Sequence, residues 1–415
     1  MRINISVVKF AKLCVMLLLV SRNGFAQKLA TQDIAAHVAV LAADSLEGRG
    51  TGTVGEIKAA NYIADWFGRA GLEAKGGNGS FFAPFGVVVQ FEGVPHQVTA
   101  RNVVGFLDNQ AEQTIVIGAH YDHLGKGYQT GSLTPDSQNV IHNGADDNAS
   151  GVAGLIELAR HFADNKVKEK YNFLFIAFSG EELGLLGSKF FVDHPTIPME
   201  SVAMMVNMDM IGRLDESKGV TIGGWGTSPE WGRLIPALAK KNNLKYAVDS
   251  SGIGPSDHTS FYLKEKPVLF FFTGVHSDYH KPSDDTEKIN AVGEQKILQL
   301  IVDIVDGLGN SQKALTFTEA GNPHSQGVQS DFKVTLGIIP DYSFNGRGLR
   351  VDAVTKGRPA AAAGMETGDI ITKMGDFPIK DIYDYMKSLG EYEVGQSIDI
   401  ELRRKQENKT LRVKF

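Results

Sequence analysis

A chain of 415 residues is longer than one ordinary domain, so we expect about two or three. Its formal net charge of −6, without any long basic run, argues against nucleic acid as a partner. Hydrophobic residues make up 42% of the chain and charged residues 22%, which are the proportions of a soluble globular protein.

The first residues have the pattern of a secretory signal peptide. Arg2, Lys9 and Lys12 precede an apolar run over 13–20, and small residues then lead to a predicted cut before Gln27. The apolar run is too short to span a bilayer comfortably, so an uncleaved membrane anchor is the less favoured alternative. We therefore predict a secreted or periplasmic bacterial protein with no stable membrane span after signal cleavage.

The only cysteine, Cys14, lies inside this predicted signal. The mature chain would then form no disulfide and offer no thiolate to a metal. Any metal ion must be held by His, Asp and Glu side chains.

The segment after the signal, 28–75, is predicted to be helical because its apolar residues recur at helical spacing. A glycine-rich stretch, 44–53, interrupts this pattern. Such stretches can bind phosphate, but here no strand precedes it and no Gly-Lys-Ser/Thr sequence follows. We interpret it as a surface loop near a site.

Later segments alternate between strand and helix patterns. Strands are predicted over 85–91 and 103–107, and helices over 150–163 and 229–242. This alternation predicts an α/β fold with a mostly parallel central sheet flanked by helices, whose functional site lies beyond the C-terminal ends of the strands. Short, nearly continuous apolar runs have the character of fully buried strands, and they cover 114–120, 171–178, 202–208 and 268–272.

Each of these buried runs is followed by residue types that bind metals. One polar group at a strand end would be ordinary, but the same chemistry at every end is hard to explain as surface polarity. The residues are His120, Asp122 and His123 after the first run, Glu181 and Glu182 after the second, Asp209 after the third, and His276, Asp278 and His280 after the fourth.

His120 and Asp122 are two residues apart at a strand end, so their side chains point to the same side. A histidine that binds a metal usually donates its other ring nitrogen to a carboxylate or a similar acceptor. We therefore predict His120 as a ligand and Asp122 as its orienting partner. The alternative is a surface histidine beside an acid.

Glu181 and Glu182 are adjacent and cannot point in the same direction. One can bind a metal while the other acts as a base on a nearby water. The alternative is a charged helix start, which is common.

The stretch 144–151, Gly-Ala-Asp-Asp-Asn-Ala-Ser-Gly, places two acids before a helical segment. Alone, it favours simple helix capping. With its neighbours, Asp147 becomes a candidate bridge between two ions. Asp147, Glu182, Asp209 and a hydroxide would carry four negative charges, which two divalent cations balance. Nitrogen and oxygen ligands of this kind suit zinc, although cobalt or manganese would also fit.

Residues 27 to about 310 resemble the M28 family of zinc-dependent aminopeptidases, and several blocks carry the resemblance in the same order. They are Leu46–Thr51, Gly118–Asp122, Gly144–Gly151, Ser179–Ser188, Asn207–Asp209 and Tyr279–His280.

The resemblance implies two Zn²⁺ ions per chain and a role for each matched residue. It also implies that the peptide bond after the bridging aspartate is cis, and that Asp284 supports the loop carrying His280. Asp257, His258 and Tyr279 would lie near the substrate. The implied zinc ligands are His120 and Asp209 for one ion, Glu182 and His280 for the other, and Asp147 for both, with Glu181 as general base and acid and Asp122 as the partner of His120.

The C-terminal segment, 331–415, resembles a bacterial PDZ domain. A Pro-Ala-rich helix followed by Gly-Asp-Ile-Ile carries this resemblance. It implies that Leu336, Gly337 and Ile338 receive a peptide C-terminus, with the peptide added as an extra strand. A structural appendage that no longer binds peptide is the alternative. The predicted division is a signal peptide over 1–26, a zinc peptidase domain over 27–312, a linker over 313–330 and the PDZ domain.

The predicted function is a metallo-aminopeptidase that acts on peptides with a free N-terminus. Two alternatives stay open. A glutaminyl cyclase shares the fold and usually works with one zinc. A non-catalytic PDZ protein would bind peptides without turnover, and the intact Glu181 argues against it.

Overall fold

The structure, a computed structural model, describes residues 29–91, 94–128, 132, 134, 139–311, 315–320, 334–340, 346–354, 357–380 and 382–415. The predicted signal peptide lies outside the described residues.

Helices surround the larger sheet and flank the smaller one. Among the described residues, no helix combines the length and the apolar character needed to cross a bilayer. The helices are α1 (Thr31–Leu41), α2 (Val54–Arg69), α3 (Gly151–Asp164), α4 (Leu186–Asp193), α5 (Pro229–Lys241), α6 (His258–Tyr262), α7 (Ala291–Asn310), α8 (Pro359–Ala362) and α9 (Ile382–Leu389).

The strands form two sheets, β1 to β9 in one and β10 to β15 in the other. They are β1 (Glu73–Ala74), β2 (Phe82–Phe91), β3 (Val94–Leu107), β4 (Thr114–His120), β5 (Asn172–Phe178), β6 (Val202–Met208), β7 (Val220–Gly223), β8 (Tyr246–Val248), β9 (Val268–Phe272), β10 (Ile338–Pro340), β11 (Leu349–Val354), β12 (Ile370–Met374), β13 (Phe377–Pro378), β14 (Ser397–Arg404) and β15 (Glu407–Lys414).

The larger sheet has the strand order β1-β3-β5-β4-β6-β9-β7-β8, with β2 paired to β3. Its central strands β5, β4, β6 and β9 are parallel, whereas β3 and β7 join them antiparallel on either side. Every residue of β4, β5 and β6 is buried, which explains their nearly continuous apolar sequences. The predicted α/β fold is confirmed, with antiparallel strands flanking the parallel centre.

Helices cover both faces of this sheet. One face packs against α1, α2, α3, α5 and α7, through a core that includes Leu155 and Ile301. The other packs against α4 and α6 through Phe191 and Phe261. Because both faces are covered, the C-terminal edge of the parallel strands is where polar side chains can gather.

Short capping sequences set where several helices begin. Thr53 accepts a hydrogen bond from the backbone of Glu56 at the start of α2, and Asn290 accepts one from Gly293 at the start of α7. The backbone N–H of Asn290 also donates to the Gly212 carbonyl at 2.7 Å. The start of α7 is thereby tied to the loop that follows β6.

The glycine-rich stretch 44–53 is only in part the surface loop that was predicted, because Asp44 and Ser45 are exposed whereas 48–51 are buried. Its Arg49 side chain is 1% exposed and donates to the carbonyls of Tyr121, Asn143 and Gly144 at 2.8, 2.7 and 2.9 Å. Gly48, with φ +68, lets the backbone pass close to the His142 and Gly125 carbonyls. The arginine supplies the donors that the Tyr121, Asn143 and Gly144 carbonyls need.

The second domain has its own sheet, with the order β10-β11-β12-β14-β15 and β13 paired to β12. Its separate core contains Leu336, whose carbonyl accepts the N–H of Ala360 at 2.9 Å. Gly337 has φ +71, a left-handed conformation that favours glycine. Ile338 begins β10 at the sheet edge. This is the small β-rich domain that the sequence predicts.

Residues 315–320, inside the predicted linker, contact the first domain. The N–H of Thr318 donates to the Thr227 carbonyl at 2.9 Å, and the N–H of Ala320 donates to the Tyr262 hydroxyl at 3.1 Å. This part of the chain therefore packs against the larger domain.

Candidate metal centre

The candidate site lies at the C-terminal edge of the parallel strands. β4 and β6 run in register, with Gly118 beside Asn207. Two residues further on, His120 and Asp209 project from the same face. His120 Nε2 lies 3.3 Å from Asp209 Oδ1. Sheet register alone brings this pair together.

Asp147 lies between two groups of side chains. Its Oδ1 is 3.4 Å from His120 Nε2, and its Oδ2 is 3.2 Å from His280 Nε2. The Asp147–Asn148 peptide bond is cis, as the family resemblance implies. Each carboxylate oxygen thus faces a different histidine, which is the arrangement a bridging ligand requires.

The second group joins His280 to Glu182. His280 Nε2 is 3.1 Å from Glu182 Oε2 and 3.2 Å from Asp147 Oδ2. Zinc bonds of about 2.0–2.1 Å in a tetrahedral arrangement place neighbouring ligand atoms roughly 3.3–3.4 Å apart. The spacings in both groups are close to this value, so these residues fit two zinc ions.

Glu181 belongs to the first group. One of its carboxylate oxygens lies within 4.8 Å of ligand atoms of both His120 and Asp209. Its neighbour Glu182 instead lies within 4.8 Å of ligand atoms of Asp147 and His123. The adjacent glutamates therefore diverge, as their positions in the chain predict.

Asp122 orients this region in a different way from the one the sequence suggests. The Nδ1 of His120 is 3.2 Å from the Asp122 backbone carbonyl and 3.9 Å from its carboxylate. The carboxylate accepts instead from the N–H of Glu181 at 3.1 Å and from the Thr51 hydroxyl at 2.9 Å. Asp122 thus holds His120 through its backbone and Glu181 through its side chain.

Asp284 fixes the backbone beside the bridging aspartate. Its Oδ2 accepts the N–H groups of Asp146 and Asp147 at 3.0 and 3.1 Å. Its Oδ1 accepts from Arg213 at 2.7 Å, and Arg213 also donates to Asp278 at 2.9 Å. Asp284 was predicted to support the loop that carries His280. Its side chain also holds the backbone of the Asp147 loop.

The residues expected near the substrate lie around the same edge. Asp257 is fully buried, and burial raises its pKa to about 7. His258 stacks on Phe270 with ring centroids 4.4 Å apart, and burial lowers its pKa to about 3. The Tyr279 ring stacks on His280 at 3.9 Å. His258 is therefore a neutral imidazole, and Tyr279 is next to a candidate ligand.

Two residues that contact the site had no specific role in the sequence analysis. His123 Nδ1 is 2.8 Å from Glu182 Oε1. His276 Nε2 is 3.2 Å from Asp146 Oδ2. The sequence did carry a signal for His123, because it directly follows the His-x-Asp pattern.

The electrostatics separate the two adjacent glutamates. Burial raises the pKa of Glu181 well above its usual value, and the charges of Asp209 and Glu182 raise it further against the pull of His120. Burial also opposes ionisation of Glu182, but the charge of His280 prevails and lowers the pKa of Glu182 to about 2. The pKa values of the two neighbours therefore shift in opposite directions, and Glu182 is the one that more readily offers a carboxylate to a cation.

The histidines respond to the same charges. Burial would lower the pKa of His120, but Glu181 and Asp209 raise it well above its usual value. Burial would also lower the pKa of His280, which Glu182 and Asp147 raise to about 12. Several carboxylates are therefore crowded around two buried imidazoles. Divalent cations bound here would neutralise the negative charge of those carboxylates.

Comparison with known families agrees with this geometry. Residues 102–305 match the profile of peptidase family M28. The first domain belongs to peptidase family M28. Residues 315–415 match the profile of a PDZ domain, although residues 315–320 contact the M28 domain. Both predicted families are thereby confirmed.

Individual proteins show the same similarity. A probable leucine aminopeptidase of Arthroderma benhamiae is 26% identical over 219 residues, 51% of this chain and 58% of that protein. This chain thus spans less than two thirds of that relative. A Zn-dependent exopeptidase from Parabacteroides distasonis has a TM-score of 0.55 at 18% identity, covering 68% of this chain and 99% of that one. A glutaminyl cyclase from Bacteroides thetaiotaomicron also has a TM-score of 0.55, at 16% identity, covering 69% and 100%. These structural likenesses show the shared fold.

Proposed function

We propose that this M28 protein is a two-zinc aminopeptidase that removes N-terminal residues from peptides. The observation that carries the proposal is Asp147, whose two oxygens face His120 and His280 at 3.4 and 3.2 Å. A carboxylate with both oxygens directed into separate ligand groups suits a bridge between two ions. The name of the leucine aminopeptidase relative supports cleavage at the N-terminus.

Each proposed ion has a compact ligand set. His120 and Asp209 would hold one, Glu182 and His280 the other, and Asp147 both. When bound, the zinc ions would lower the pKa of a water and polarise the carbonyl of the scissile bond.

Glu181 would act as the proton carrier. It lies beside His120 and Asp209 without belonging to the second group. It would take the proton of the attacking water and pass it to the leaving amine. Asp122 would support this step, because its carboxylate accepts the Glu181 backbone N–H and fixes where that side chain begins.

The remaining assignments concern the PDZ domain, the substrate site and the N-terminal segment. We propose that the PDZ domain binds peptide C-termini along β10, with Leu336, Gly337 and Ile338 receiving the carboxylate. Asp257, His258 and Tyr279 are proposed to line the substrate site. The N-terminal segment is proposed to direct the protein to the periplasm or the cell exterior.

Replacement of Glu181 tests the mechanism. Glu181→Gln should bind zinc like the unmodified protein yet hydrolyse aminoacyl amide substrates about 10²–10⁴-fold more slowly, because general acid–base catalysis typically contributes this much. The measurement combines zinc content with turnover of free and N-acetylated substrates. Glu265→Gln, at an exposed position, is the matched control. Full activity in Glu181→Gln would contradict the mechanism, and equal turnover of the acetylated substrates would exclude an aminopeptidase.

A glutaminyl cyclase is the second candidate, because a solved cyclase shares the fold. The two ligand groups around Asp147 favour hydrolysis, since that reaction uses both ions. Incubation with a peptide that begins with glutamine separates the two functions. Release of free glutamine supports the peptidase, whereas pyroglutamate formation with one tightly bound zinc supports the cyclase.

A further inference from the structure

A third buried histidine faces the candidate metal centre. His123 is fully buried, and its Nδ1 lies 2.8 Å from Glu182 Oε1. The other oxygen of the same carboxylate, Oε2, lies 3.1 Å from His280 Nε2. Glu182 thus presents one oxygen to His123 and the other to the group formed by His280 and Asp147.

The His123 ring is held in place from several sides. Its backbone N–H donates to the Arg49 carbonyl at 3.3 Å, and His123 forms a parallel bridge with Gly50. Gly144, with φ +56, packs against the ring so closely that an added Cβ would lie 2.5 Å from Cδ2. The direction of Nδ1 is therefore set by the fold before any ion binds.

The ligand atoms of His123, Asp147 and Glu182 lie within 4.8 Å of one another, so His123 is close enough to be considered as a metal ligand. Two observations argue against that role. Its Nδ1 is 3.9 Å from Asp147 Oδ2, farther than the roughly 3.3–3.4 Å between tetrahedral zinc ligands. Its Nε2 has no hydrogen-bond partner among the described residues, whereas a histidine that binds a metal almost always donates its other nitrogen. His120 has such an acceptor, the Asp122 carbonyl at 3.2 Å.

We propose that His123 is a positioning residue for Glu182, donating from Nδ1 to Oε1 so that only Oε2 binds the ion shared with Asp147 and His280. This inference rests on the proposed two-zinc function. Glu182 would then be a monodentate ligand, which leaves a coordination position on that ion for substrate, as catalytic zinc sites require. The M28 resemblance assigns two histidines, His120 and His280, to the centre as ligands. His123 would be a third histidine there, with the separate role of hydrogen-bond donor to Glu182.

Substitutions that keep or remove the donor test this role. His123→Asn places an amide N–H near the position of Nδ1, and His123→Leu removes it at similar size. The full-length protein would be freed of metal and titrated with Zn²⁺ against a chromophoric chelator, and with Co²⁺ followed by visible absorption. We expect His123→Leu to lose about 10–100-fold in affinity for one of two ions, the usual effect of removing an outer partner. His123→Asn should bind both ions as the unmodified protein does.

Other results would overturn the proposal. Unchanged binding in His123→Leu would show that the hydrogen bond does not position Glu182. Equal loss in His123→Leu and His123→Asn, with altered cobalt absorption in both, would make His123 a direct ligand instead. If His123→Leu does not fold, His123→Gln replaces it, because its amide reaches the Nε2 position and should fail to restore binding.

The controls separate this proposal from the proposed function. His142→Leu removes another buried imidazole nearby, whose ring contacts Ser132 and the Val140 carbonyl rather than an acid, and it should bind both ions normally. If the unmodified protein has no metal-dependent hydrolysis, the proposed function fails. If it is active and His123→Leu binds both ions equally well, only the role of His123 fails.

Discussion

The two sides of the candidate metal centre are built from different kinds of structure. We call His120, Asp209 and Glu181 the strand half, and Glu182, His280 and His123 the loop half. In the strand half, His120 ends β4 and Asp209 directly follows β6, its parallel neighbour. In the loop half, His280 lies in the segment after β9 with φ +54, a left-handed conformation that is uncommon for a residue other than glycine.

A site of near-symmetrical chemistry can therefore depend on unequal support. Strand positions are set by the register of the sheet, so the strand half needs few additional contacts. The His280 segment is held by ion pairs instead. Arg213 lies 2.9 Å from Asp278 and 2.7 Å from Asp284, and Lys288 lies 2.7 Å from Asp278. We therefore expect substitutions to weaken the loop half more easily.

Asp147 contacts both halves, so its replacement should weaken both of them. In Asp147→Asn a neutral amide replaces the shared carboxylate, so both ions should bind more weakly. Activity should fall by more than the roughly 10–100-fold typical of outer partners. Metal content and turnover of an aminoacyl amide measure the two effects.

Asp146→Asn is the matched control for that experiment. Asp146 is the adjacent acid, and its Oδ1 accepts the Gly212 N–H at 2.7 Å rather than facing His120 or His280. This variant should keep both ions. Retention of both ions by Asp147→Asn, with their loss in Asp146→Asn, would remove Asp147 from the centre.

Arg213 should separate the halves. Arg213→Met removes the donors to Asp278 and Asp284 while the strands remain unchanged. We expect about 10–100-fold weaker binding of one zinc ion, with the other unaffected. A competitive zinc titration measures this, and Lys218→Met, whose exposed pair with Asp215 is 3.9 Å long, should have no effect. Equal weakening of both ions would show that the two halves share their support.

The strand half was also the half that sequence predicted most directly. The runs 114–120, 202–208 and 268–272 have the same bounds in the structure as in the prediction. Buried parallel strands have a distinctive apolar sequence, and their C-terminal ends share one edge, so His120 and Asp209 could be placed at the same edge from pattern. Their pairing on one ion came from the resemblance to M28 peptidases. The fourth run is likewise followed by candidate ligands, His276, Asp278 and His280, but only the resemblance to M28 peptidases singled out His280 among them.

The contacts that hold the site could not be predicted because they join distant parts of the chain. Arg49 donates to the carbonyls of Asn143 and Gly144, and a glycine-rich pattern does not indicate which carbonyls a buried arginine will meet. The sequence placed His123 only among the candidate ligands that follow the first buried run. Its contact with Glu182 links two separate strand ends, and its close packing on Gly144 depends on φ at that glycine.

Two buried acids, Asp122 and Glu294, differ in how their carboxylates are hydrogen-bonded. Behind the strand half, the Asp122 carboxylate accepts from Glu181 and Thr51. By contrast, Glu294 of α7 is fully buried, and neither of its carboxylate oxygens has a hydrogen-bond partner among the described residues. Burial raises the pKa of Glu294 well above its usual value of 4.5, and the charge of Asp146 raises it further.

This raised pKa predicts a pH-dependent effect of Glu294→Gln on stability. Between 4.5 and the folded-state pKa, the folded protein keeps a proton that the unfolded chain has released. The contribution of Glu294 to stability is therefore complete below the unfolded pKa and is lost as pH rises through the folded pKa. Each unit of raised pKa corresponds to about 1.4 kcal/mol. The melting temperature of Glu294→Gln, relative to the unmodified protein, should thus increase as the pH rises above 4.5. Glu287→Gln, exposed just before α7, should show no such trend, and a difference that is constant with pH would mean that Glu294 is ionised in the folded protein.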